Sequence, residues 1–146
     1  MNELDQKRRV LLQSGVLLAG LGISGAHAAT GGHAHPGGRH AGLARTAEEC
    51  EASGRVCVAH CLESFKAGDT TLAVCATAVE AMRPACDALA QLAVLDSRHL
   101  KAFAPVCRDI CLDCEKECRK HEKKHAACKD CADACAKVIT ALKAVS

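Results

Sequence analysis

Along residues 46–145, apolar positions recur three and four apart, the spacing of one helix face, with polar residues between them. Thr46-Ala47-Glu48-Glu49 has the form of a capping box: the threonine hydroxyl can cap the Glu49 amide while the glutamate reaches back. A first helix is therefore predicted from Thr46 to near Gly68, a residue suited to a left-handed C-terminal position. Asp69-Thr70 can cap a second helix running to about Leu95, with Pro84 removing one internal hydrogen bond and predicting a kink. Asp96-Ser97 opens a third segment that reaches about His121. Pro105 either kinks it or starts its main helix at the first-turn position. A fourth helix is predicted from about Lys123 to Val145. No stretch alternates with period two and no Asn-Gly or Asp-Gly turn joins apolar runs, so strands are not expected. Four helices of roughly 20 residues joined by short links predict an all-α, antiparallel four-helix bundle.

The cysteines sharpen this pattern. At about 100° per residue, each helix gathers its thiols within a sector of about 60° or less. The first helix carries Cys50, Cys57 and Cys61, and the second carries Cys75 and Cys86, with Val79 and Met82 between them on the same side. The third has Cys107, Cys111, Cys114 and Cys118, and the fourth has Cys128, Cys131 and Cys135. Leu100, Phe103, Ile139 and Leu142 extend the same faces, which marks those faces as the buried ones, while Glu, Lys, Asp and Arg occupy the others. The expected core is a column of thiols.

Composition changes what that core can be. The chain has 146 residues, enough for one domain, and its 12 cysteines stand beside two phenylalanines and no tryptophan or tyrosine. Cysteine can serve as a small hydrophobe. Twelve of them in place of large side chains would stabilise a bundle poorly, because burying a large aliphatic is worth roughly 1.5–3 kcal/mol. A net charge of +2 gives no drive toward nucleic acid, and so few aromatics leave no platform for stacking bases.

The N-terminus reads as an address. Lys7-Arg8-Arg9-Val10-Leu11-Leu12 resembles a bacterial twin-arginine signal, and the apolar stretch after it ends in Ala26-His27-Ala28, a small-x-small cleavage pattern. The best apolar run, Gly15 to Ile23, contains three glycines and is shorter than the ~18 residues a spanning helix needs. Residues 1–28 are thus expected to be a twin-arginine signal peptide, giving a periplasmic protein with no membrane attachment after cleavage. Residues 29–45 are expected to be a flexible Gly/His-rich lead-in, including His33, His35 and His40, and residues 46–146 the bundle domain.

Three chemistries compete for the thiols. An exported chain with an even cysteine number invites a disulfide framework, and Cys118 and Cys128 have the spacing of a stapled hairpin. Most of the motifs, however, place cysteines three or four apart on one helix, side by side, a poor match to a disulfide torsion near 90°. Cys111-x-x-Cys114 and Cys128-x-x-Cys131 share the bare spacing of thiol redox enzymes but follow no strand, and no acid–base or nucleophile arrangement accompanies them, so no enzyme is expected. Metal binding remains. Structural zinc sites use cysteine pairs on knuckles, and the ferredoxin spacing is absent from Cys107–Cys118. Cu(I) needs only two or three soft sulfurs and tolerates bridging thiolates. Two thiolates per ion and two ions per thiolate would give about one ion per cysteine.

At this point the twin-arginine leader, Cys57-x3-Cys61, Cys107-x3-Cys111-x2-Cys114-x3-Cys118 followed by His121, and Cys128-x2-Cys131-x3-Cys135 resemble the bacterial copper storage proteins. The resemblance covers about residues 46–145. It implies storage or sequestration of multiple Cu(I) ions by all twelve cysteines, in an oligomer of bundles, with copper passed to an acceptor that the sequence does not identify. No methionine-rich mouth is present, since Met82 is the sole methionine after the leader. In an up-down-up-down bundle His60, His121 and His125 gather at one end, which makes them candidate ligands where copper enters. The alternative function is a disulfide-stapled helical structural or interaction module.

Overall fold

The computed structural model describes residues 38–145. The expected signal peptide, its cleavage point and the His33-x-His35 pair all lie outside the described residues. Four helices follow one another: α1 (Ala41–Lys66), α2 (Ala73–Val94), α3 (Leu100–Arg119) and α4 (Ala126–Leu142), closed by a 3-10 turn, Lys143–Val145. Among the described residues there is no strand, and no helix is long and apolar enough to cross a membrane. Each helix packs on the next and α4 packs back on α1, with no α1–α3 or α2–α4 backbone contact, so the four form a closed ring. Between α1 and α4 the numbering runs in opposite senses: Cys50, Cys57 and His60 of α1 meet Cys135, Cys128 and His125 of α4.

The start of α1 differs from expectation. It begins at Ala41, within the expected lead-in, and no capping box forms at Thr46, whose hydroxyl donates instead to the Gly42 carbonyl at 3.0 Å. Packing is the reason: Leu43, Ala44 and Ala47 are buried, so the added turn places apolar surface in the core. The far end of α1 follows the glycine signal. Gly68 sits at φ +85°, its N–H reaches the Phe65 carbonyl and the Asp69 N–H reaches the Ser64 carbonyl, which is a Schellman ending.

Other boundaries shift by a few residues. Asp69 accepts the Thr71 N–H through its carboxylate, and a turn then delays α2 until Ala73. That helix ends with the same bond pattern as α1, but Asp96 holds the left-handed position, at φ +45°. Pro105 lies inside α3, not in its first turn, and Pro84 lies inside α2. The last helix begins at Ala126 instead of Lys123, because the His121 carbonyl first accepts the Lys124 and His125 N–H groups in a turn. Leu100 and Leu142 are buried as expected. Phe103 and Ile139 are half-buried against the core, and Val138 is fully buried in the place Ile139 was expected to fill.

Candidate metal centre

All twelve cysteines are 0% exposed, and no polar or charged residue shares the core with them. None forms a disulfide. The shortest sulfur–sulfur hydrogen bond, Cys75 to Cys118, spans 3.4 Å, against about 2.05 Å for a bonded pair. The expected staple partners separate: Cys118 meets Cys75 on α2, and Cys128 meets Cys57 on α1 at 3.9 Å and Cys75 at 4.0 Å. The disulfide framework is therefore not what this core contains.

Five groups of three sulfurs have all members within 4.8 Å of one another. They form a ladder in which each group shares one sulfur with the next. Cys61, Cys57 and Cys75 come first, and Cys57 joins them to Cys118 and Cys131. Cys131 leads on to Cys114 and Cys135, Cys135 to Cys50 and Cys111, and Cys111 to Cys86 and Cys107. Eleven cysteines are used, and Cys128 flanks the first two groups through Cys57 and Cys75. A metal–thiolate bond of about 2.3 Å puts trigonal sulfurs about 4 Å apart and linear ones about 4.6 Å apart, so the ladder suits two- and three-coordinate soft ions. Two groups join α1, α3 and α4, so sulfurs of helices on opposite sides of the ring meet near its axis. Only small side chains at those positions allow this.

Burial and mutual repulsion set the proton balance. Desolvation, then the charge of Cys75, pushes the Cys61 thiol up to about 11. Cys128 is pushed up to about 12 for the same two reasons in the same order. Cys75 goes the other way: hydrogen bonds from Cys118 and Cys57 favour its thiolate, with the nearby charge of His121 assisting. The ladder thus holds an anion-favouring sulfur near the end where the histidines lie.

That end is distinctive. His60 Nε2 lies 2.7 Å from His125 Nδ1, and the His125 and His121 ring centroids are 6.3 Å apart, all three side chains half-buried. The structure therefore brings the three sequence-selected histidines together. His125 is held as the N-cap residue of α4. Nearby, Arg119 bridges Glu115, Glu122 and Asp133, pinning the end of α3 to α4. The opposite end contains no cysteine beyond Cys50 and Cys107 and is filled by Leu43, Leu89, Leu100, Val138 and Leu142. Sequence reasoning missed Leu72, fully buried just before α2, and missed that the Met82 sulfur touches the ladder. The angle of Met82 on its helix was the available signal.

A family model described as copper storage protein matches residues 38–146. No curated protein matches the chain.

Proposed function

The chain belongs to the copper storage protein family, and from that premise we propose that it is a non-catalytic store holding many Cu(I) ions per chain on the thiolates of its core. The observation that carries this reading is the ladder of five sulfur triplets joined through shared cysteines. Shared sulfurs suit bridging thiolates, which let neighbouring ions sit close without a separate ligand set for each. A buried interior whose only side-chain metal donors are sulfurs also favours a soft monovalent ion over hard divalent cations. Thiol redox catalysis fits poorly, since Cys111, Cys114, Cys128 and Cys131 are fully buried while a reactive thiol must meet its substrate.

The reading extends to route and setting. Copper enters at the histidine end, because the other end is stoppered by leucines and valine, and imidazoles of intermediate affinity pass ions inward to the thiolates. The Arg8-Arg9 leader exports the folded protein to the periplasm, where bundles assemble as homo-oligomers and deliver copper to an acceptor protein. Titrating the reduced apoprotein with Cu(I) against a competing chelator tests the core of the proposal. Saturation well above about four ions per chain, with unchanged helix content, is expected. Saturation at one or two ions would overturn it. For export, replacing Arg8 and Arg9 by lysines should abolish appearance of a periplasmic form beginning at Ala29.

A further inference from the structure

The four walls of the core are unequal. Between Cys75 and Cys86, α2 turns Val79 and Met82 inward, both fully buried, so for about 16 Å of helix it offers no thiol. Met82 supplies the only sulfur in that gap. Its Sδ accepts the Cys50 thiol at 3.5 Å, and Cys50 belongs to the triplet with Cys111 and Cys135. The far side of Met82 is seated deliberately close to α1. A Cβ built at buried Gly54 would lie 2.9 Å from Met82 Cε and 2.8 Å from Arg83 Cγ, so the terminal methyl rests where α1 has no side chain.

We propose that Met82 is a copper ligand, its thioether joining Cys50 and Cys135 around one ion to make a mixed thioether–thiolate site inside the ladder. This rests on the copper-storage reading. The chemistry follows from the setting. A thioether is soft enough for Cu(I) and carries no charge. Deep in the core, each further thiolate adds an anion to a space without polar groups, and burying uncompensated charge is costly. A neutral sulfur donor meets the ion's coordination there without adding to that charge. On loading, Cu(I) takes the place of the proton that Cys50 donates to Met82, that proton is released to bulk solvent, and both sulfurs turn to the metal.

Selenium reports on this directly, because Met82 and Met1 are the only methionines. The full chain, grown on selenomethionine and loaded with Cu(I), is measured at the selenium and copper absorption edges beside the Met82→Leu variant, which keeps the Met1 background. The expected result is a copper neighbour at bonding distance from selenium in the wild-type chain and none in Met82→Leu. A carbon-only selenium environment, in protein whose copper edge shows a full sulfur shell, overturns the proposal and leaves storage standing. Absence of a sulfur shell at the copper edge in both proteins overturns storage itself, and this site with it.

Discussion

His60 Nε2 lies 2.7 Å from His125 Nδ1 where the end of α1 faces the start of α4, and the sulfur ladder begins beside this contact, at Cys61, the residue after His60, and at Cys57, about one turn further in. The N–H···N bond between them ties the ring carried by α1 to the ring carried by α4. His121, across the turn, completes the group. If these rings receive copper, the double variant His121→Ala/His125→Ala should load several-fold more slowly in stopped-flow mixing with a Cu(I) donor, at unchanged capacity. An unchanged rate would reject the role.

Position in the ladder predicts unequal costs for losing a cysteine. Cys131 joins two triplets, whereas Cys61 belongs to one at the end. Cys131→Ala should therefore lower Cu(I) capacity by more ions than Cys61→Ala, measured by chelator competition on variants with native circular dichroism. Equal losses would indicate independent sites.

The raised thiols give the copper-free protein a pH dependence of known sign. Cys61 and Cys128 keep their protons up to about 11 and about 12 in the folded chain, above the ordinary 9.0. Between those values the folded state binds protons that the unfolded chain has released. Their contribution is thus fully present below pH 9.0 and lost as pH rises through about 11. Thermal melts of the reduced apoprotein should show Tm falling across that alkaline window. Copper binding displaces the same protons, so apparent affinity should weaken as pH falls.

Copper should also raise Tm. The apo core consists largely of small thiols and alanines, with few large aliphatics, and ions that bind only the folded state add stability by mass action. Equal melting of loaded and apo protein would contradict this.

Asp96 offers a test away from the metal. It occupies the left-handed position that ends α2, compensated by a partly exposed contact from its carboxylate to His40 Nε2 at 3.5 Å. Surface pairs of that kind are worth about 0–1 kcal/mol. Asp96→Gly should stabilise by up to about 1 kcal/mol, and Asp96→Ala should destabilise by about the same amount, both read from denaturant midpoints.

Periodicity alone was enough to assign four helices and to place every cysteine on an inward face, because the 100° step per residue makes a buried stripe visible in the letters. Gly68 marked a helix end for a local reason: its missing Cβ admits a left-handed backbone. What the letters could not carry were interactions between distant segments. Ala41 begins α1 because Leu43 and Ala44 find a core contributed by other helices, and that packing outweighs the local cap at Thr46. The sequence pattern put Ile139 on the inward face of α4, and only the neighbouring helices fixed that Val138 is the fully buried one. The shared-sulfur order, from Cys61 through Cys57, Cys131, Cys135 and Cys111 to Cys107, depends on how far each helix is slid and rotated against its neighbours. The contact of Met82 with Cys50 has the same origin: one residue's angle was readable, but its partner lies 32 positions away, where only tertiary packing brings the two sulfurs together.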